Sequence, residues 1–311
     1  MAETRRRDAR REDPVETVPV PREAVEETIQ PRVSAILIGY NQAAALRRAI
    51  QALERSKDRE RLEILVIDCG SSDESSQLDI EFEGVTMLRL PHHFGMTKAL
   101  NIATRTAKAE TVFFLSPNVE VAPDTVVKLA EMLEADLEAD NDTSAVGPML
   151  FDPEGRPVSM DRKMPSPRAL DGEAQPIDLE AGNVAVEYAS FDALMIRKQF
   201  IKGMNYLDEK RYGNSWADAD LAMKILQAQR KIQLFPAIRA IWHDTPDPLS
   251  GDTLYAADRT LGAAAFFSKY YGFMAGLSFR LGAIFRALGR FNFSELSALV
   301  SGQKLDGSQA M

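Results

Sequence analysis

Short apolar runs alternate with amphipathic helical patterns along the first half of the chain, and this alternation constrains the fold more than any other feature. The runs are VSAILIG, LEILVID, VTMLRL and TVFFL, which begin at Val33, Leu62, Val85 and Thr111. Strands that are apolar on both faces and alternate with helices are typical of parallel βαβ units. We therefore predict an α/β fold with a mixed, mostly parallel sheet flanked by helices. Ligands of such sheets bind outside the carboxyl ends of the strands, here residues 40–41, 68–73 and 116–120.

The pattern after these runs is less regular. Residues 151–183 are rich in Pro, Gly and charged residues, which favours an irregular loop over the sheet edge. Residues 184–198 have a strand-like pattern, and a helix is expected from about residue 218 to residue 229. The segment KIQLFPAIRAIWH then predicts one or two short strands.

The composition indicates a folded protein of the cytoplasm. The 311 residues are 45% hydrophobic, which is enough for one large core or two modest ones. The single cysteine, Cys69, excludes an intramolecular disulfide, and no apolar stretch is long enough to span a bilayer. A formal net charge of −9 argues against nucleic acid as a partner. Residues 1–32 mix both charge signs with prolines and show no periodicity, which predicts a disordered tail.

The charge is unevenly distributed, because no Asp or Glu occurs between Arg259 and Ser294. Apolar side chains recur within this segment at helical spacing, at Leu277, Leu281, Ile284, Leu288 and Phe291. Arg286 and Arg290 fall on the opposite face of such a helix. Two interpretations stay open, namely a helix that lies on an anionic membrane surface and a helix that packs against the preceding domain. We assign residues 246–311 to a C-terminal appendage of amphipathic helices and a tail.

Four segments that together cover roughly residues 33–243 resemble the inverting family 2 glycosyltransferases. They are VSAILIGYN, LEILVIDCGSSDES, HFGMTKALNIATRTAKAETVFFLSPNVEV and MNYLDEKRYGNSWADADLAMKI, in that order. The similarity is closest to the rhamnosyltransferase-like branch, which builds bacterial surface polysaccharides. The resemblance implies a Rossmann-like GT-A fold over residues 33–245, with a nucleotide-binding half at residues 33–120 and an acceptor half at residues 121–245.

The same resemblance implies the activity and its partners. An enzyme of this family transfers a sugar from a nucleotide-diphospho-sugar donor to a hydroxyl of a polysaccharide, lipid-linked or protein acceptor, without an organic cofactor. We expect a role in cell-envelope glycan synthesis, in the cytoplasm or at the inner face of the plasma membrane. Many relatives act on lipid-linked acceptors there, which favours the membrane interpretation of the C-terminal helix.

The donor-binding residues implied by the resemblance begin with Tyr40 and Asn41. Asp68 corresponds to an acid that hydrogen-bonds the nucleobase, and Gly70 allows the turn that follows. Asp73 either touches the ribose or caps the next helix, and these alternatives stay open. Cys69 replaces the second acid of this turn, a departure that could alter the base preference.

A second group of donor-binding residues corresponds to a helix that begins beneath the pyrophosphate. The group comprises Gly95, Lys98 and Asn101. A helix N-terminus favours an anion, and Lys98 could add a full positive charge. The alternative is that Lys98 is a solvated residue on an amphipathic helix.

The family's metal motif is altered in this sequence. Ser116 and Asn118 occupy the place of an Asp-x-Asp-like motif whose last carboxylate binds Mg²⁺ or Mn²⁺ between the two phosphates. Asn118 is a neutral amide, so Glu120 and His243 are the remaining candidates to complete a metal site. We do not add His92 or His93, because lone histidines are more often packed side chains than ligands.

The catalytic base of the family lies in a Glu-Asp pair, which corresponds here to Ala217 and Asp218. We predict that Asp218 takes the proton of the acceptor hydroxyl and that Asp220 supports it. The alternative is that both acids merely complement the helix dipole. Because acids are missing at positions 69, 118 and 217, a second hypothesis is a catalytically impaired pseudo-glycosyltransferase that acts as a binding or scaffolding module. A nucleotidyltransferase is less consistent, since no glycine- and lysine-rich phosphate loop follows the first strand.

Overall fold

The computed structural model describes residues 29–139, 142–158 and 161–305. Most of the tail predicted at residues 1–32 and the end of the predicted C-terminal tail therefore lie outside the described residues. The strands are β1 Val33–Gly39, β2 Leu62–Asp68, β3 Val85–Arg89, β4 Thr111–Leu115, β5 Val119–Val121, β6 Thr143–Phe151, β7 Asp161–Arg162, β8 Val184–Val186, β9 Tyr188–Ala189, β10 Ala193–Arg197 and β11 Lys231–Trp242. The α-helices are α1 Ala43–Glu54, α2 Leu78–Glu81, α3 Met96–Thr106, α4 Thr125–Glu138, α5 Lys198–Gly203, α6 Ala217–Gln227, α7 Thr253–Tyr270, α8 Phe273–Gly289 and α9 Phe293–Ser301.

Among the described residues, nine strands build one large mixed sheet, and β7 and β9 form a second, two-stranded sheet. The order in the large sheet is β3-β2-β1-β4-β10-β6-β11-β5, and β8 pairs with residues 232–234 of β11. Strands β3, β2, β1 and β4 are parallel, whereas β10 runs antiparallel to β4 and to β6. The predicted α/β sheet flanked by helices is confirmed. KIQLFPAIRAIW forms a single long strand, and β6 is a strand that the sequence pattern did not reveal.

The two faces of the sheet bury two separate cores, because successive side chains of a strand point to opposite faces. On β1, Ala35 and Leu37 pack on the face covered by α1 and α4, whereas Ile36 packs on the face covered by α3, α6 and α7. Phe113 and Phe114 of β4 divide in the same way. The sheet is therefore covered on both faces, as its apolar strands require.

Helices α7, α8 and α9 follow the sheet, and α7 packs against the start of α6. Phe266 and Phe267 are fully buried and lie against Trp216, with ring centroids 5.3 and 5.6 Å away. The chain turns at Gly272, whose φ of +98° is a conformation that suits glycine, and α8 then begins. Helix α7 thus packs against the domain that precedes it.

The predicted apolar stripe of residues 277–291 is only partly realised. Helix α8 ends at Gly289, so Phe291 lies beyond it with a φ of +55°. Ile284 is half-buried and packs against the small core between α7, α8 and α9, because small residues of α8 let the helices approach. Leu281 and Leu288 are exposed. No helix among the described residues is long and apolar enough to cross a membrane.

Candidate active site

A cavity of about 530 Å³ opens at the carboxyl ends of β1 and β4. Its walls are formed by β1 and β4, by the first residues of α3 and α6, and by the segment from Tyr188 to Asp192. Asp171 and Arg259, which form an ion pair, also line it. The volume is in the range of small-molecule binding sites, and the position is where sheets of this kind bind ligands.

Trp216 positions the first turn of α6 at this cavity. Its backbone is in the left-handed region with a φ of +78°, which is uncommon for a residue other than glycine. The indole Nε1 donates a hydrogen bond to the carbonyl of Arg259 at 2.8 Å, and the ring packs between α6 and α7. These contacts hold the strained residue in place and fix where α6 begins.

Asp218, the predicted base, lines the cavity in that first turn. The hydroxyl of Tyr188 donates to its Oδ2 at 2.5 Å, and the backbone N–H of Ala219 donates to its Oδ1 at 2.8 Å. Burial raises the pKa of Asp218 above its ordinary value, although both hydrogen bonds act in the opposite direction. A carboxylate with a raised pKa, open to a cavity, has the chemistry of a general base.

Asp192 is a second cavity-lining acid, and it was not among the residues predicted from the sequence. The hydroxyl of Ser190 donates to its Oδ2, and its backbone carbonyl accepts from the N–H of Ser116 at 2.8 Å. Burial raises its pKa to about 6, and the negative charge of Asp218 contributes in the same direction. The available signal was an acid within the strand-like run of residues 184–198.

Asp220, predicted to support Asp218, does not line the cavity. Its side chain is 2% exposed and accepts hydrogen bonds from the ammonium groups of Lys269 at 2.6 Å and Lys224 at 3.0 Å. The hydroxyls of Tyr212 and Tyr270 also donate to it, at 3.0 and 2.9 Å. Desolvation opposes ionisation, but the two lysines outweigh it and lower the pKa of Asp220. Asp220 therefore fastens α6 to α7.

Hydrogen bonds connect the loop after β1 to the loop after β2. The N–H of Asn41 donates to Ser71 Oγ at 2.9 Å, and the N–H of Ser72 donates to Asn41 Oδ1 at 2.8 Å. Asp73 accepts from the N–H of Ser75 and from that of Ala43 at the start of α1, both at 3.0 Å. Burial opposes ionisation, yet these hydrogen bonds outweigh it and lower the pKa of Asp73. Asp73 thus caps the short helical turn that follows it, and its contact with a ribose stays a prediction.

Asp68 ends β2 beside this loop and is 2% exposed, with its carboxylate 3.3 Å from the N–H of Ser71. Gly70 has a φ of +79°, and a Cβ there would lie 2.8 Å from the Cα of His92, so only glycine fits. Cys69 is fully buried in the core, and burial raises the pKa of its thiol to about 12. The Cys69 side chain therefore faces the core and not the loop surface.

The aromatic residues near this loop are packed. Tyr40 lies edge-on to the ring of His93, with centroids 5.0 Å apart. His93 Nδ1 accepts from the N–H of Gly95 at 3.0 Å, and burial lowers the pKa of His93 to about 4. His93 is therefore a neutral, packed side chain, as expected.

The first turn of α3 is already hydrogen-bonded. The N–H of Met96 donates to Asn214 Oδ1 at 3.1 Å, and the N–H of Thr97 donates to the carbonyl of Gly213 at 3.0 Å. These contacts occupy two donors that the predicted pyrophosphate site would need, so this helix end does not provide the expected free anion site. Gly95 packs tightly there, because a Cβ would lie 2.3 Å from the carbonyl oxygen of Leu305.

Lys98 and Asn101 of α3 differ in their surroundings. The ammonium group of Lys98 lies 4.1 Å from the centroid of the Phe94 ring. Asn101 is 1% exposed and bonds both backbone groups of Leu207, at 2.9 and 3.0 Å, and the carboxylate of Glu209 at 2.7 Å. Asn101 therefore holds the 207–209 loop, and its side chain is unavailable to a donor.

The residues predicted to hold a metal do not form a ligand set. His243 Nε2 lies 2.9 Å from Glu120 Oε2, while Glu120 Oε1 is paired with Arg55 at 3.3 Å. The amide oxygen of Asn118 accepts from the hydroxyl of Thr245. Among the residues that the structure describes, no three His, Cys, Asp or Glu side chains converge as metal ligands would. The donors at this position thus do not fit a site built by the protein alone for a hard cation.

Comparison with known proteins gives one family match. Residues 34–186 match the family model described as glycosyl transferase family 2. The match covers just under half of the chain and includes Asp68 and Asn118, whereas Asp192 and Asp218 lie beyond it. No curated protein matches the chain.

The fold is similar to that of GalNAc-T7, whose crystal structure contains UDP, GalNAc and Mn²⁺. The TM-score is 0.57 at 17% identity, over 71% of this chain and 45% of the other. The chain thus spans less than half the length of that protein. The likeness confirms the predicted GT-A fold, while the rhamnosyltransferase-like branch stays a prediction.

Proposed function

We propose that the chain is an inverting glycosyltransferase that uses Asp218 as its general base. The observation that carries the proposal is the place of Asp218, a carboxylate of raised pKa that lines the cavity at the carboxyl edge of a GT-A sheet. The family match over residues 34–186 supports the reaction class.

The proposed reaction is a single displacement. Asp218 accepts the proton of an acceptor hydroxyl, and the acceptor oxygen attacks the anomeric carbon of the donor sugar. The bond from that carbon to the diphosphate oxygen breaks, and the nucleoside diphosphate leaves with the electron pair. Each oxygen of Asp218 already accepts one hydrogen bond and retains a second lone pair for the incoming proton.

The donor is proposed to be a nucleotide-diphospho-sugar bound across the carboxyl ends of β1, β2 and β4. In support, Asp68 ends β2 and Ser116 lies at the cavity. Lys98 has no carboxylate partner among the described residues, so its charge is available to a diphosphate at the edge of this region. The acceptor is proposed to be a glycan, a lipid-linked sugar or a protein of the cell envelope.

The test is donor binding and turnover with Asp218→Asn. The probes are UDP-glucose, UDP-GalNAc, GDP-mannose and dTDP-rhamnose, each with and without Mn²⁺, with calorimetry for binding and release of nucleoside diphosphate for turnover. We expect turnover to fall by at least about 100-fold while the donor affinity stays within about twofold. Asp152→Asn, which removes a charge outside the cavity, is the control. Unchanged turnover of Asp218→Asn contradicts the assignment of the base.

A second candidate function is a binding or scaffolding module. It is favoured by the contacts of two residues at the position of the family's metal motif. Asn118 is hydrogen-bonded to Thr245, and Glu120 contacts His243 and Arg55. This candidate predicts no nucleotide binding, or nucleotide binding without any release of sugar. Binding and turnover measurements with the same four nucleotide-sugars distinguish this candidate function from the glycosyltransferase.

We also propose that residues 33–245 are the catalytic domain and that α8 and α9 bind an anionic membrane surface from the cytoplasmic side. Phe273, Met274, Leu281, Phe285 and Leu288 are exposed on α8, and Phe291 and Phe293 follow it. The buried face of α8 is formed instead by Gly276, Ala283 and Ala287. A group of large exposed apolar side chains on one helix indicates an interaction site.

The charge near this surface favours an anionic lipid over a second protein copy. Arg286 and Arg290 are exposed without an acidic partner in the described part of the chain, and no acid occurs between Arg259 and Ser294. Basic residues beside an apolar helical face suit the headgroup region of a bilayer. The exposed aromatic residues and arginines in and after α8 thus support contact with the surface of an anionic membrane.

The membrane proposal is tested by co-sedimentation with vesicles of phosphatidylglycerol or phosphatidylcholine. We expect binding to phosphatidylglycerol that Phe273→Ser/Phe285→Ser weakens at least about tenfold and that high salt reduces. Ile80→Ser, at an exposed apolar residue of α2, is the matched control. Equal binding by wild type and double variant, or a dimer that the double variant abolishes, contradicts the proposal.

A further inference from the structure

The cavity contains one acid on each of two facing elements. Asp218 comes from α6, whereas Asp192 precedes β10 and lies beside the end of β4. The residues just before Asp192 supply a hydroxyl donor to each acid, because Tyr188 donates to Asp218 and Ser190 donates to Asp192. Two acids are thus held in defined orientations in one cavity.

These two acids have no cationic partner in the cavity. Among the described residues that line it, the charged side chains are Asp171, Asp192, Asp218 and Arg259. Arg259 is paired with Asp171, and Tyr188 and Ser190 are neutral donors. A buried carboxylate without a cation is costly to the fold, and such groups persist where they contact a ligand.

Thr97 adds a third polar group. It lines the cavity from α3 and is 1% exposed, and its hydroxyl oxygen has no hydrogen-bond partner among the described residues. A buried hydroxyl without a partner costs free energy unless a ligand or water supplies one. The cavity therefore presents hydrogen-bonding groups beyond those that its own packing uses.

The location of Asp192 indicates which part of a substrate it meets. Its backbone carbonyl accepts from the N–H of Ser116 at the end of β4, the edge where the proposed function places the diphosphate. The sugar of a donor is attached to that diphosphate, whereas Asp218 lies on the acceptor side. A carboxylate beside a sugar ring accepts hydrogen bonds from its hydroxyl groups, and charged acceptors form the stronger bonds.

We propose that Asp192 binds hydroxyl groups of the donor sugar, and that with Asp218 it forms an acid pair assembled from two elements of the fold. The inference rests on the proposed glycosyltransferase function. It gives the cavity a second acid even though Ala217 replaces the glutamate that the family resemblance led us to expect beside Asp218. Thr97 contributes a further hydroxyl to the same sugar site.

The test compares nucleotide-sugars with the corresponding free diphosphates by calorimetry. The probes are UDP-glucose, UDP-GalNAc and dTDP-rhamnose, together with UDP and dTDP. For Asp192→Asn we expect the best nucleotide-sugar to bind about 10- to 100-fold more weakly, while the diphosphate changes less than about twofold. Asp152→Asn is the charge-matched control, and Thr97→Val is expected to weaken only the nucleotide-sugar.

The outcomes distinguish this inference from the proposed function. If the wild type binds nucleotide-sugars and Asp192→Asn binds them equally well, Asp192 is not a sugar ligand and the proposed function stands. An equal loss of affinity for sugar nucleotide and diphosphate also overturns the inference, since it indicates a change of the whole site. If the wild type binds none of the nucleotides, the proposed function and this inference fail together.

Discussion

The ammonium group of Lys269 lies 2.6 Å from Oδ1 of Asp220, and this ion pair joins α7 to the helix that carries Asp218. The indole of Trp216 makes a second connection, through the carbonyl of Arg259. Both contacts cross the boundary predicted between residues 245 and 246. Helix α7 therefore contributes to the placement of the candidate base, and a chain truncated before it would lose these contacts.

Replacement of Lys269 tests this connection. Lys269→Met leaves the buried Asp220 with Lys224 as its one remaining cationic partner, so we expect the free energy of unfolding to fall by about 1–3 kcal/mol. Urea denaturation at pH 7 measures it. The control is Lys128→Met, which breaks an exposed ion pair with Asp124 and is expected to cost less than about 0.5 kcal/mol. Equal costs for the two variants would contradict a structural role for Lys269.

The hydrogen bond from Tyr188 lowers the pKa of Asp218. It favours the charged carboxylate and so counteracts the rise in the pKa of Asp218 that burial causes. Tyr188→Phe removes it, and the pKa of Asp218 should rise further. Because the base must be deprotonated to act, the acid limb of the kcat/KM profile should move to higher pH.

The matched control for Tyr188→Phe is Tyr270→Phe. Tyr270 also donates to a carboxylate, but that of Asp220 outside the cavity. We expect this control to lower stability without moving the acid limb of the profile. A shift of the acid limb to lower pH in Tyr188→Phe would show that Asp218 does not act as the base.

The pH dependence of stability reports on Asp192. Its pKa of about 6 in the folded protein exceeds the ordinary aspartate value near 4, so folding favours the protonated form. Ionisation of Asp192 therefore does not lower the free energy of unfolding below about pH 4. The loss of stability grows as the pH rises to about 6 and reaches its full size above that. We expect Asp192→Asn to be more stable than wild type at pH 8, by on the order of 1–3 kcal/mol.

Thermal denaturation of Asp192→Asn and wild type at pH 4.5 and pH 8 measures this effect. The advantage of the variant should shrink at the lower pH, whereas Asp152→Asn should show no such gain. Greater stability combined with weaker sugar binding is the pattern expected of a ligand-binding acid. Destabilisation of Asp192→Asn at both pH values would instead mark Asp192 as a structural residue.

Local pattern predicted the first part of the fold well. The apolar runs at Val33 and Leu62 correspond to β1 and β2, because a strand buried on both faces must be apolar throughout. The antiparallel β10 beside β4 was not predicted, since strand order depends on long-range pairing that no local period records. The end of α8 at Gly289 was also missed, because the apolar spacing continues past it to Phe291.

Site residues could be predicted where local secondary structure alone determines their position. Asp218 lies in the first turn of α6 and lines the cavity as expected. Asn101 was assigned to the donor, but its partner is the backbone of Leu207, which only the tertiary structure brings near. Asp192 and Arg259 reach the cavity from elements that were predicted as a plain strand and a separate appendage.

The carboxylate of Asp258 connects the last described residue to a loop that lines the cavity. It is 1% exposed and accepts from the N–H of Asn214 at 2.8 Å and from that of Leu305 at 3.1 Å. Asp258→Asn replaces one acceptor oxygen by an N–H₂ donor that faces a backbone donor. We therefore expect a loss of about 1–3 kcal/mol in unfolding free energy.

Hydrogen exchange locates the effect of Asp258→Asn. Amides of residues 213–215 and 303–305 should exchange faster in the variant, while those of β1 and β2 change only as global stability requires. Because Asn214 and Ser215 line the cavity, donor affinity should fall as well. Asp252→Asn, at an exposed N-cap of α7, is the control and should leave both segments protected. Unchanged exchange at residues 303–305 would show that Leu305 is held by contacts other than Asp258.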